Sequence, residues 1–154
     1  MCGISGIVGR SDRDVVVAMS EAMKHRGPDD DGIWLHPLGL AGFVHTRLSI
    51  LDTSAAGHQP MRSHDGRLVI TYNGEIYNFR ELRRDLENAG VQFHTGTDTE
   101  VILRLYERHG ADCVNHLRGM FAFAIWDEKE RRGFLARDRF GMKPLYIAES
   151  GGAL

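Results

Sequence analysis

The stretch from Asp65 to Trp126 constrains the fold more than any other part of this 154-residue chain. Asp65-Gly66 is a tight-turn pair between Met61–Ser63 and the apolar run Leu68–Tyr72, the pattern of a β-hairpin. Two helices then follow with no strand between them. Asn78 precedes the first, with Glu81 three residues on to complete a capping box and Gly90 to close it. Thr97 and Glu100 repeat the box at the start of the second, which ends near His109-Gly110. Met120–Trp126 reads as a buried strand. Two successive helices break the β-α-β alternation that a parallel sheet requires. The pattern predicts an α+β fold of mostly antiparallel strands covered by helices.

The remaining segments fit that frame. Ile4–Val8 reads as a short buried strand. Ser11 or Asp12 caps a helix through about Lys24, whose apolar stripe is Val16, Met19, Ala22 and Met23. Gly27-Pro28 ends it. Gly32–His36 and Leu40–Thr46 are strands joined by a Pro37-Leu38-Gly39 turn, and residues 51–60 form a loop. After a turn over Asp127–Arg132, the runs Gly133–Ala136 and Leu145–Ala148 read as further strands. The length suits one domain that buries about 70% of its unfolded surface.

Composition removes several function classes. Charged residues make up 26% and the net charge is −2, which gives no electrostatic case for nucleic acid or an anionic membrane. The most apolar run, Met120–Trp126, is far shorter than the ~20 residues of a spanning helix, and nothing resembling a signal peptide precedes Cys2. Cys2 and Cys113 make no disulfide framework, so a reducing cytoplasm is the expected location. The eight histidines are scattered without a ligand pair at helical spacing, so no metal site is expected. Without a G-x-x-x-x-G-K-S/T loop, no nucleotide site is expected in this chain either. Cys113 reads as a small buried hydrophobe.

Four features remain that look chemical. Removal of Met1 is expected because cysteine is small, and it would leave Cys2 with a thiol and a free α-amine. Terminal amines titrate near 7.7–8.0, so roughly a seventh is neutral at pH 7, and the pair is a nucleophile beside its own base. With Met1 attached, that nitrogen is an amide and the base is lost. Arg47, after an apolar strand, could clamp a carboxylate in bidentate fashion. Asn73-Gly74, at the end of the Leu68–Tyr72 strand, is a turn signal that no second strand follows. The alternative is an oxyanion hole formed by the Asn73 amide and the Gly74 N–H. Asp98, in a first helical turn, suits the helix dipole and could equally hold an ammonium group, as could Glu75.

Together, Cys2-Gly3-Ile4, Arg26-Gly27-Pro28-Asp29, His45-Thr46-Arg47-Leu48-Ser49-Ile50, Gly57-His58-Gln59-Pro60-Met61, Tyr72-Asn73-Gly74-Glu75-Ile76-Tyr77-Asn78 and Thr97-Asp98-Thr99-Glu100 resemble the class II glutamine amidotransferases, which are N-terminal-nucleophile hydrolases. Leu117–Phe123 and Arg137–Gly141 match the asparagine synthetase branch of that group. The resemblance implies a four-layer αββα sandwich of two antiparallel sheets. It also implies hydrolysis of the glutamine side-chain amide to glutamate and ammonia, with Cys2, Asn73 and Gly74 as the catalytic groups. Arg47, Leu48, Ile50, Leu51, Asn73, Gly74, Glu75 and Asp98 would bind L-glutamine, Arg47 at its α-carboxylate and Glu75 and Asp98 at its α-ammonium.

Family glutaminase domains continue beyond the equivalent of Leu154, and a C-terminal synthetase domain that uses ATP and Mg normally follows. The chain is therefore expected to be an incomplete glutaminase domain over residues 2–154, needing no cofactor of its own. Its expected partners are L-glutamine and that synthetase domain, with a homodimer as the candidate assembly. Two alternatives stand beside this reading. One is the glutaminase half of a relative that amidates a peptide, antibiotic or polysaccharide precursor. The other is a non-catalytic docking domain that has kept the fold.

Overall fold

A computed structural model describes residues 2–48 and 55–154. The first sheet comprises β1 (Gly3–Val8), β2 (Asp30–Leu35) and β3 (Ala41–Arg47), in the order β1-β3-β2. The second comprises β4 (Met61–Arg62), β5 (Leu68–Ile76), β6 (Gly119–Asp127) and β7 (Arg132–Arg137), in that order. Every pairing is antiparallel. The helices are α1 (Arg13–Met23), α2 (Phe79–Asn88) and α3 (Asp98–His109).

These elements stack in four layers. Helix α1 packs across all three strands of the first sheet, with Val16 fully buried. Gly42 permits that approach, because a Cβ there would lie 2.8 Å from Val16 Cγ2. Helix α3 packs on β5, and α2 on α3. The sheets face each other through a small apolar layer of Trp34, Ala41, Phe43, Val69 and Trp126. The larger core lies between the second sheet and its helices, where Leu68, Ile70, Tyr72, Ile76, Phe121, Phe123 and Ile125 meet Val101, Ile102, Leu105 and Tyr106.

Strand alternation sorts these side chains. Even-numbered residues of β5 face α3, and odd ones, Val69, Thr71 and Asn73, face the first sheet. In β3, Ala41, Phe43, His45 and Arg47 face the second sheet and Val44 and Thr46 face α1. All seven residues of β3 are buried, as befits a central strand covered on both faces.

Polar groups also join the sheets. The Thr71 hydroxyl donates to the Val44 carbonyl at 2.9 Å, and His45 Nε2 lies 3.2 Å from the Tyr72 carbonyl. Burial lowers the His45 pKa to about 4, only partly offset by the Tyr72 carbonyl, with nearby Arg47 adding to the depression. The ring is therefore neutral at ordinary pH. A carbonyl only accepts, so Nε2 carries the proton.

Three local expectations are corrected. The strand starting at Leu68 does not stop at Tyr72 but continues to Ile76, because β6 pairs with its whole length. Leu145–Ala148 is not a strand. Beyond Arg137 the chain turns away from β6, and its apolar groups Tyr146 and Ile147 are exposed with no ladder to join. Leu154 does pair back, exchanging backbone bonds of 2.8 Å with Val8.

The third concerns the caps. Asn78 makes no side-chain cap bond, so the box with Glu81 does not form. Its amide instead joins His116 O (3.0 Å) and Arg118 N (2.9 Å), tying the start of α2 to the turn before β6. Thr97 does cap α3, accepting from Glu100 N at 3.3 Å. The Glu100 carboxylate reaches past it to His94 N and Thr95 N. Gly90 closes α2 as expected, at φ +86°, with Val91 N bonded to Leu86 O and Gly90 N to Glu87 O.

A pH prediction follows from His45. Its folded pKa lies below the ordinary histidine value of 6.5, so the unfolded chain takes up the proton first. The stabilisation from the neutral ring is complete above pH ~6.5 and is lost as pH falls towards about 4. Between about pH 7 and about pH 4.5 the protein should lose about 2 kcal/mol more stability than a His45→Gln variant. Denaturant unfolding of both proteins checks this, and equal acid sensitivity would refute a buried neutral ring.

Candidate active site

The two sheets part at one end, leaving a cavity of about 380 Å³ between them. Cys2, Arg47 and Leu48 line it from the first sheet, Asn73, Gly74 and Glu75 from β5, and Asp98 from the start of α3. Six sequence positions as far apart as 2 and 98 thus converge with Leu48 on one space. Ile50 and Leu51, expected along the same surface, lie outside the described residues.

Cys2 immediately precedes β1, where Gly3 pairs with Thr46. Continuing that register sets Cys2 opposite Arg47, so both fall on the cavity side of their sheet. The Cys2 thiol is half-buried. Its sulfur sits 3.4 Å from the Leu48 N–H and 3.6 Å from the Leu48 carbonyl, so backbone on the facing strand fixes its position. Arg47 is 7% exposed and lines the cavity, so its side chain is largely withdrawn from water. Both cysteines are free thiols, but Cys113 differs in kind. It is fully buried, and burial pushes its thiol up to about 12, which makes it inert at neutral pH.

The edge of β5 supplies the second half of the site. β4 pairs only with Val69 and Ile70, so further along no strand among the described residues covers the same edge. By alternation, the backbone groups of Tyr72, Gly74 and Ile76 all point to it. Tyr72 N–H donates to Gln59 Oε1 at 2.8 Å, and Ile76 N–H donates to Asp98 Oδ2 at 3.0 Å. The Gly74 N–H lies between these two filled positions, taken by neither β4 nor β6, at the cavity wall. Gly74 is required by close packing, since a Cβ there would lie 2.7 Å from Phe121 Cα and 2.8 Å from Tyr72 Cε2. Asn73, 8% exposed, points into the space between the sheets. An amide side chain and a backbone N–H therefore stand beside each other on the wall that faces Cys2.

Asp98 is the acidic pole of the cavity. Its Oδ2 accepts from the Tyr72 hydroxyl at 2.7 Å as well as from Ile76 N. Burial raises its pKa, and the Ile76 N–H and Tyr72 hydroxyl pull the other way. The Tyr72 hydroxyl is itself held well above its ordinary range, first by burial and then by the Asp98 charge, so it remains a donor. A cation placed in the cavity would favour ionised Asp98. Glu75 stands exposed at the rim on the same strand as Asn73.

Several lining residues were not singled out from sequence. His45 and Gln59 lay inside quoted motifs but had no assigned role. Tyr72 looked like a core strand residue, and its hydroxyl matters only because α3 brings Asp98 to it. Met142 and Lys143 also line the cavity. They are placed by Asp138, whose carboxylate accepts from the N–H groups of Phe121, Phe140, Met142 and Lys143 at 2.9–3.1 Å. Burial alone would raise the Asp138 pKa, but these four donors outweigh it and hold the carboxyl below its usual range. No local pattern announces such a cradle.

Among the described residues, no group of three or more His, Cys, Asp and Glu side chains could hold a metal ion. No helix among them is long and apolar enough to cross a membrane.

Comparison with known proteins fits this geometry. A protein of Bacillus subtilis named asparagine synthetase (glutamine-hydrolyzing) 2 is 44% identical over 156 residues, covering 97% of this chain and 20% of that protein. Its namesake from Asparagus officinalis is 45% identical over 152 residues, covering 96% of this chain and 25% of that protein. The chain thus spans about a quarter or less of the length of these relatives. Among solved structures, the glutamine phosphoribosylpyrophosphate amidotransferase of B. subtilis matches over 99% of this chain and 40% of its own, with a TM-score of 0.83 at 24% identity. At that identity the likeness speaks for the fold alone, a sandwich of two antiparallel sheets covered by helices. The family described as glutamine amidotransferase domain matches residues 1–154, and the chain belongs to that family.

Proposed function

We propose that this chain, once Met1 is removed, hydrolyses the side-chain amide of L-glutamine to glutamate and ammonia. The observation that carries the reading is the convergence of the Cys2 thiol, the Asn73–Gly74 donor pair, buried Arg47 and buried Asp98 on one cavity. Each matches one part of the substrate. Arg47 would hold the α-carboxylate. Asp98, with Glu75 at the rim, would hold the α-ammonium, and Leu48 would fix the sulfur through its backbone. That leaves the side-chain amide extended towards Cys2.

The chemistry then needs only groups of this chain and water. The neutral α-amine of Cys2 takes the thiol proton, directly or through a water, and Sγ bonds to the amide carbon. The oxygen becomes an oxyanion facing the Asn73 amide and the Gly74 N–H. Collapse of the tetrahedral intermediate breaks the C–N bond. The leaving nitrogen takes its proton from the α-ammonium and departs as ammonia. Water attacks the resulting thioester by the same route in reverse, releasing glutamate and restoring the thiol.

In the parent protein the ammonia would serve an ATP-dependent synthesis of asparagine in a C-terminal domain, where ATP and Mg would bind. The names of the relatives and the short share of their length that this chain covers support that placement. A cytoplasmic location belongs to the same reading, supported by two free thiols.

Three outcomes are expected. Cys2→Ala should abolish glutamate release while thermal unfolding stays cooperative; residual turnover would exclude the sulfur as nucleophile. Treatment with a glutamine-like diazoketone should add one label, on Cys2 and not on Cys113. Labelling of both sites, read by intact mass, would mean that the cavity does not select the reagent. Arg47→Ala and Asp98→Asn should each raise KM for glutamine by roughly 10- to 100-fold, the size of a lost charge-assisted contact of about 1.5–3 kcal/mol. An unchanged KM would remove that residue from substrate binding.

A further inference from the structure

We propose that Gln59 is a positioning residue for glutamine hydrolysis, which, among the described residues, leaves Gly74 as the one backbone donor that this edge of β5 offers to the reacting oxygen. The inference rests on the glutaminase reading and extends it to a residue of the cavity wall to which that reading gives no role at the thiol or the substrate.

Backbone bookkeeping carries the argument. Beyond Ile70, three N–H groups point to the uncovered edge of β5, at Tyr72, Gly74 and Ile76. Buried N–H groups do not go unpaired. Ile76 is met by Asp98. Tyr72 is met by Gln59, whose side chain is 6% exposed. Because an N–H needs an acceptor, the amide must present Oε1 to Tyr72. Its Nε2 is thereby turned to Thr99 Oγ1 at 3.3 Å. One amide thus bridges the strand that carries Asn73 and Gly74 and the first turn of the helix that carries Asp98.

The consequence is selective. Tyr72 and Gly74 are two residues apart, about 7 Å along a strand. If Gln59 did not fill the Tyr72 position, that N–H would open to the cavity as a rival donor for water or for the substrate oxygen. The start of α3 would also lose its tie to the strand. The defect should be felt where the oxygen gains charge, in the transition state, more than in ground-state binding.

The test uses the mature protein and two probes besides glutamine. Glutamate γ-semialdehyde adds to Cys2, Sγ bonding to the aldehyde carbon and the thiol proton passing to the oxygen, which makes a tetrahedral adduct that needs the oxyanion donors. L-Glutamate binds the same pocket without forming that adduct. Gln59→Met should lower kcat and aldehyde affinity together by about tenfold, short of the ~10²–10³ that follows loss of a whole oxyanion donor. KM for glutamine and glutamate affinity should stay within about twofold. Thr99→Val, which removes only the far anchor, should show a smaller loss of the same kind, and Thr99→Ser should restore it. The Thr99 pair carries the test if Gln59→Met does not fold. Unchanged kcat, or equal losses for aldehyde and glutamate, would overturn the role of Gln59. Wild-type protein inert to both glutamine and aldehyde would instead overturn the glutaminase reading itself.

Discussion

The arrangement of the whole site depends on β5 outrunning its neighbour. β4 covers two of its residues and then ends, while β6 follows it throughout. An uncovered strand edge is ordinarily a hazard, because its N–H and C=O groups invite another strand. Here it is covered piece by piece. Gln59 takes the Tyr72 N–H, His45 the Tyr72 carbonyl and Asp98 the Ile76 N–H. What the edge leaves open, at Gly74, is where the proposed mechanism needs a donor. Such a donor is rigid because hydrogen bonds to β6 on either side of it fix the strand, so it need not reorganise as charge develops.

The same contacts tie the two halves of the site together. Sheet one holds the thiol and Arg47, and sheet two holds Asn73, Gly74 and, through α3, Asp98. The apolar layer between the sheets is small, so it cannot by itself fix their relative register. Directional bonds supply that register, from Thr71 to the Val44 carbonyl and from His45 to the Tyr72 carbonyl. Burial keeps His45 neutral, which avoids a second cation beside Arg47. A similar economy governs the buried carboxylates. Asp98 keeps few partners and is pushed towards its neutral form. Asp138, met by four backbone donors, stays ionised and shapes a wall. The first is open to a cationic ligand and the second is fully used by the chain.

Much of this was legible in the sequence, and the limits are instructive. Apolar runs bounded by turn residues placed β3, β5 and β6 within a few residues, and turn chemistry located the ends of α1 and α2. Two successive helices excluded a parallel sheet. Cys2, Arg47, Asn73, Gly74 and Asp98 were legible as candidates because their residue types fit no obvious structural purpose at those places, and the family motifs set them in order. The errors came where a local signal had a distant competitor. Asn73-Gly74 has the composition of a turn, but pairing with Ala122 and Phe121 keeps it in a strand. Asn78 has the composition of a cap, but its amide serves the turn before β6. Leu145–Ala148 has the composition of a strand and finds no partner.

The sequence by itself determined most of the helices and strands and which side chains are candidates for chemistry, because apolar runs, turn residues and residue type are properties of neighbours along the chain. Only the tertiary structure decided that Gln59, Tyr72 and His45 belong to the site. Their partners lie 13 to 40 positions away, and a hydrogen bond leaves no trace in sequence spacing when its ends sit on different layers. It also decided which of three equivalent backbone donors on β5 is left for a ligand. That choice is made by what covers an edge, and an edge exists only once the sheets are assembled.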